Sequence, residues 1–176
     1  MPDFPRKTWF YIAGIVVLGI GLAIWQLWSI ELSKTFVLAW VILSLLDLIC
    51  ELYEVEIIHG HRTSAAIAIG AGAVLIGGTK LGLLIVLTGT LIAEIFLRRS
   101  MWRKDPLHYL AVVGFNVSQL LISIAIGGLA FQVLGGKPPP YSSLTDFLRA
   151  ILLFGIFMTA NAAIVAGVVH FSRGVN

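Results

Sequence analysis

Four acidic residues fall between Asp47 and Glu56: Asp47, Glu51, Glu54 and Glu56. His59 and His61 follow at once, separated by a glycine. Carboxylates and imidazoles so close together have the chemistry to move protons or to hold a metal through nitrogen and oxygen. An H-x-H pair is nevertheless a weak metal signature, and a solvated loop with its charges in water is the plainer reading. No metal ligand set is assigned. Asp47 differs from the rest of the group because it lies within an apolar run. Ser44, Asp47 and Glu51 are spaced to share one face of a helix. Deeper in the chain, Asn116 and Gln119 are one helical turn apart, and Asn161 lies with Thr159 in the last apolar run.

Charged groups in a hydrocarbon layer cost about 2.5–3.5 kcal/mol each on insertion scales and usually face a bundle interior or a cavity. Amides there either bond neighbouring helices together or contact a ligand. Asp47, Asn116, Gln119 and Asn161 are therefore the candidate ligand-binding residues, lining the space between the helices that carry them. Glu94 also lies in an apolar run, but Arg98 follows four residues later, the spacing of an ion pair on one helix face. No catalytic order of Ser, His and Asp, no phosphate-binding loop and no zinc-protease motif occurs. The chain reads as a non-enzyme. No residue pattern identifies a cofactor.

The elements that must position these residues are membrane helices. The chain has 176 residues, 59% of them hydrophobic and 12% charged, with a mean hydropathy of +0.97. Such values exclude an ordinary soluble domain and predict an all-α, polytopic membrane bundle in one domain, 1–176. The net charge of +3 does not point to nucleic acid. The partners expected are the lipid bilayer and a membrane or cytoplasmic protein. Cys50 is the only cysteine, so no intrachain disulfide is possible. The first apolar run is long and lacks a small-residue cleavage site, so no signal peptide is expected.

Six spans are expected, at about 9–30, 35–52, 64–78, 81–97, 107–134 and 144–171. The third is short and Gly/Ala-rich, and the extended stretch before it, Val55 to Thr63, turns at His59-Gly60. Trp9, Tyr11, Trp25 and Trp28 flank the first span as interfacial anchors do. Its Gly14, Gly19 and Gly21 read as ordinary lipid-facing and packing surface. Between the last two spans Pro138, Pro139 and Pro140 forbid a helix, and Ser143 with Asp146 reads as a helix cap. With six spans and an internal N-terminus, the inner segments hold Arg6, Lys7, Arg62, Arg98, Arg99, Arg103, Lys104 and Arg173. The outer ones hold Lys34, Lys80, Lys137 and Arg149. That asymmetry predicts an inner (plasma) membrane protein with both termini cytoplasmic.

The order of motifs from Asp47 to Phe171 resembles the multi-span N-terminal membrane module of bacterial HD-GYP phosphodiesterase and GGDEF cyclase signalling proteins. The resemblance rests on Glu51, Val55, Phe115, Asn116, Gln119, Gly135, Gly136 and Asn161. It implies a sensor-like module that binds a small ligand or a partner within the bilayer. The sequence ends at Asn176 without the cytoplasmic output domain, so it implies no enzymatic output here. A looser similarity, through Ala13, Gly14 and Gly21 of the first span, is to the substrate-binding components of energy-coupling-factor vitamin transporters. An accessory structural subunit of a larger membrane complex is the third possibility.

Overall fold

A computed structural model describes residues 4–53, 55–58, 61–63, 65–141 and 143–172. The protein is a helical bundle, and five helices are long and apolar enough to cross a membrane. In chain order these elements are α1 (Arg6–Leu27), α2 (Lys34–Leu52), a hairpin of β1 (Val55–Ile58) and β2 (His61–Thr63), and α3 (Ala66–Ile85). A π-helical turn, Val86–Thr90, continues α3 into α4 (Leu91–Leu97). Then come α5 (Arg99–Trp102), α6 (Pro106–Val133) and α7 (Leu144–Ser172). The expected extended stretch is the antiparallel hairpin, with Val55 opposite Thr63 and Glu56 opposite Arg62. Its turn at His59-Gly60 lies outside the described residues, as does Ser64.

The expected break between spans three and four is at Gly78, where φ is 78° and ψ is 178° inside α3. Glycine accepts this positive φ because it has no Cβ to collide with the carbonyl. The chain then folds back on itself. A Cβ on Gly82 would lie 2.8 Å from Val74 Cγ2 and 3.2 Å from the Gly70 carbonyl oxygen. In a straight helix Gly70 and Gly82 would stand roughly 18 Å apart. Ile124 touches the Cβ positions of both glycines, at 3.2 Å and 3.1 Å. The limbs 66–77 and 79–97 are thus an antiparallel pair. The first is only about 18 Å long at 1.5 Å per residue, too short for a hydrocarbon layer of about 30 Å.

The pair sits against α6 at the centre of the bundle. The main core joins Ala71, Val74, Leu83 and Val86 to Val117, Leu121, Ile124 and Phe131, with Leu153 and Phe157 from α7 and Ala23 from α1. Helices α1 and α6 run in the same direction, with Val16 beside Gly114 and Gly19 against Ser118. Helix α7 returns antiparallel, with Leu153 and Phe157 packed on Gly127. The Tyr11 hydroxyl donates to the Ile164 carbonyl at 2.9 Å. The start of α1 and the end of α7 therefore meet at one end of the bundle. Of the three glycines of α1, Gly19 makes a close contact, whereas Gly14 and Gly21 have nothing within 4 Å.

Local signals explain the helix ends. Ser33 accepts the Phe36 N–H at 3.2 Å to start α2. Asp105 accepts the His108 N–H at 2.9 Å to start α6, with Pro106 at the first helical position. Helix α6 closes in a Schellman arrangement: Gly136 N–H reaches the Phe131 carbonyl at 2.8 Å and Gly135 N–H the Gln132 carbonyl at 2.9 Å. Gly135 takes the positive φ, 72°, that this ending needs. Ser143 caps α7 as expected, accepting Asp146 N–H at 3.2 Å and donating to its carboxylate at 2.8 Å.

Candidate functional site

Polar side chains inside the bundle gather on two sides of the 79–97 limb. The first group faces α2. Thr88 donates its hydroxyl proton to the Leu84 carbonyl one turn back, at 2.7 Å. Its single proton is thereby committed, so Ser44 must be the donor in the 2.7 Å contact between the two hydroxyls. Trp40 Nε1 also donates to Thr88 Oγ1, at 3.2 Å. Thr88 therefore has its one donor and both acceptor positions filled. One residue on, Gly89 lets α2 press against the π-helical turn. A Cβ there would lie 2.7 Å from the Ser44 carbonyl oxygen and 2.9 Å from Asp47 Cβ.

Asp47 lies behind this contact. Only 1% of its surface is exposed, and Thr90 Oγ1 donates to its Oδ2 at 2.9 Å. Among the described residues no cation pairs with it. A carboxyl group in this position has a hydroxyl rather than a countercharge to stabilise it, so any change in its charge must be felt by the π-helical turn it is bonded to. A π-turn is itself a local excess of one residue in the helix and is a frequent feature of functional sites. Here Leu91 N–H reaches back to the Val86 carbonyl.

The second group faces α6. Glu94 accepts from Arg98 Nε at Oε2 and from Nη2 at Oε1, the latter at 3.2 Å, and from Asn116 Nδ2 at 2.9 Å. The expected Glu94–Arg98 pair thus forms, and the amide of Asn116 completes it from the neighbouring helix. At the opposite end of the same limb Gln132 Nε2 donates to Thr79 Oγ1 at 3.1 Å.

The four candidate residues do not share one lining. Helix α2, carrying Asp47, makes no contact with α6 or α7, because the 66–97 pair stands between them. Asp47 belongs to the first group and Asn116 to the second. Gln119 and Asn161 lie on α6 and α7, which pack together, and each has a buried side-chain oxygen without a hydrogen-bond partner among the described residues. The expectation of one space between α2, α6 and α7 is corrected accordingly. Sequence reasoning finds Ser44, Asp47 and Glu94 as polar residues within apolar runs. It missed Gly89 and Trp40. The run Thr88-Gly89-Thr90 is the signal that would have found the contact, being two hydroxyls around a missing side chain.

Beside the first group runs an open groove of about 190 Å³, lined by Trp40, Val41, Ser44, Leu45, Leu48, Thr88, Gly89 and Ile92. The hydroxyls on its floor are already bonded to each other, so it offers an apolar surface. A smaller cavity of about 150 Å³ lies at the other side of the bundle, between the Gly77-Gly78 bend, Gln132 and Pro138. No cluster of metal-ligating side chains occurs among the described residues, and His59, Glu54 and the histidine turn lie outside the described residues. No family model, no curated protein and no solved structure matches the chain.

Proposed function

We propose that the protein is a non-enzymatic integral membrane module, sensor-like in character, that binds a small apolar ligand or a partner segment within the bilayer. The single observation that carries this reading is the groove between α2 and the π-helical turn. Its floor, Ser44, Thr88 and Gly89, directly backs the buried Asp47. An occupant of the groove presses on the same contact that holds the intramembrane carboxyl group. Occupancy and the state of Asp47 are then coupled through one short stretch of backbone, which is what a sensing module needs. A transport component calls for a deep outward pocket bounded by the Pro138–Pro140 loop. The cavity beside Pro138 is about 150 Å³, smaller than the groove beside α2.

The module resides in the cell inner membrane with both described ends of the bundle cytoplasmic. Arg6, Lys7, Arg98, Arg99, Arg103 and Lys104 gather at the end where α1 starts and α7 finishes, against Lys34, Lys80, Lys137 and Arg149 at the other. Purification from native membranes in a mild detergent, with mass spectrometry of bound proteins and small molecules, tests the reading. Substituting Ile92→Trp fills the groove from its rim. It is expected to remove the bound species at unchanged yield of folded protein. A species retained equally by Ile92→Trp and the native chain counts against the groove.

A further inference from the structure

We propose that the turn joining the 79–97 limb to α6 is a binding site for the phosphate of an anionic phospholipid. Helix α5 and the residues after it fold over the start of α6. They enclose a recess of about 350 Å³ lined by Ser100, Met101, Lys104, Asp105 and His108. Three of those side chains, Ser100, Lys104 and His108, offer donors to a phosphate oxygen. Asp105 also lines the recess, and its carboxylate is engaged in capping α6. The His108 ring is held in place by Phe4, which stacks on it at 4.5 Å with an interplanar angle of 24°.

Charge around the recess is one-sided. Arg98 is committed to Glu94, whereas Arg99, Arg103 and Lys104 have no acidic partner among the described residues. Three free cations beside one capping carboxylate favour an anionic headgroup over a zwitterionic one. The apolar surroundings distinguish a lipid from free phosphate. Trp102 is 50% exposed, Leu107 65% and Leu110 55%, and Trp102 packs edge-on against Tyr109 at 5.2 Å. An exposed Trp and two exposed leucines next to unpaired cations suit a chain segment that meets headgroups with one side and acyl chains with the other.

The test uses the whole protein in nanodiscs of phosphatidylcholine containing a minor fraction of phosphatidylglycerol. Native mass spectrometry counts the lipids retained on release. The native chain is expected to retain phosphatidylglycerol above its bulk fraction. Lys104→Gln should lower that enrichment about fivefold, the effect of one surface cation on an anionic lipid, while Lys34→Gln at the opposite end leaves it unchanged. Thermal unfolding in pure phosphatidylcholine checks that each variant folds, and His108→Gln reads the same recess if Lys104→Gln does not. Equal losses from Lys104→Gln and Lys34→Gln would overturn the proposal. So would full displacement of the lipid by soluble glycerol phosphate, which would make this a site for the free anion.

Discussion

Helices α2 and α7 and the pair formed by 66–97 and α6 are almost equally apolar, yet they occupy opposite places in the bundle. Their most apolar windows have mean hydropathies of 2.1 and 2.2 for α2 and α7, and 2.0 and 1.9 for 66–97 and α6. The shares of those windows buried inside the protein are 6% and 11% against 50% and 56%. Lipid tails are as apolar as leucine, so hydropathy gives no preference for the inside of a membrane bundle. What separates the regions is how closely backbones approach. Gly82, Gly89 and Gly128 of the central pair each stand where a Cβ would meet a neighbour within 3 Å, whereas Gly155 of α7 has nothing within 4 Å. Close approach of this kind also occurs at Gly167 of α7, against the Tyr11 ring, but on the inner helices it recurs at several glycines along the segment.

The sharpest way to break this comparison is to add a side chain at Gly89. Gly89→Leu forces α2 away from the π-helical turn, and overpacking of this kind costs about 1–3 kcal/mol or more. Loss of most folded protein is expected by size-exclusion chromatography in mild detergent. Gly155→Leu is the matched control on the outer helix and should leave the folded yield intact. If both variants behave alike, close approach is not what distinguishes the two regions.

A somewhat smaller effect is expected at Asp47. Thr90→Val keeps the shape but removes the hydroxyl from a buried carboxyl group, which costs about 1–3 kcal/mol for an unsatisfied polar atom. Asp47→Leu together with Thr90→Val should recover part of that loss in thermal unfolding. A double variant as weak as the sum of the two singles would show that the pair is not coupled. At the second polar group, Asn116→Leu removes one interhelical bond while Arg98 still holds Glu94. The expected cost is about 0.6–1.7 kcal/mol, and a larger one would mean that Asn116 also supports something beyond Glu94. The least effect belongs to Gly14→Leu on α1, within about 0.5 kcal/mol by the same measurement.

Much of the architecture could be read from particular residues. The boundary between the expected third and fourth spans, 78 to 81, falls at the break observed at Gly78. The spacing of Glu94 and Arg98 announced an ion pair, and Ser143 with Asp146 a cap. All three are local, reaching across four residues or fewer, and local chemistry is written along the chain. The grouping of Asp47 with Asn116, Gln119 and Asn161 failed because it needed the order of helices around the bundle. Equal depth and polar character put four residues in one layer, but two of them face opposite sides of the 79–97 limb.

The sequence by itself determined that this chain is an apolar helical bundle, and it marked the cap at Ser143 and the ion pair of Glu94 with Arg98. These follow from hydropathy, from a side-chain oxygen that accepts an N–H at a helix start, and from the four-residue spacing that joins opposite charges on one helix face. Only the tertiary structure decided that the broken pair stands at the centre, that Thr90 rather than an amide partners Asp47, and that Asn116 joins Glu94. Those outcomes depend on which helix faces fit most closely. In a membrane that choice is made by packing between surfaces distant in sequence, because the surrounding lipid rewards no apolar face over another.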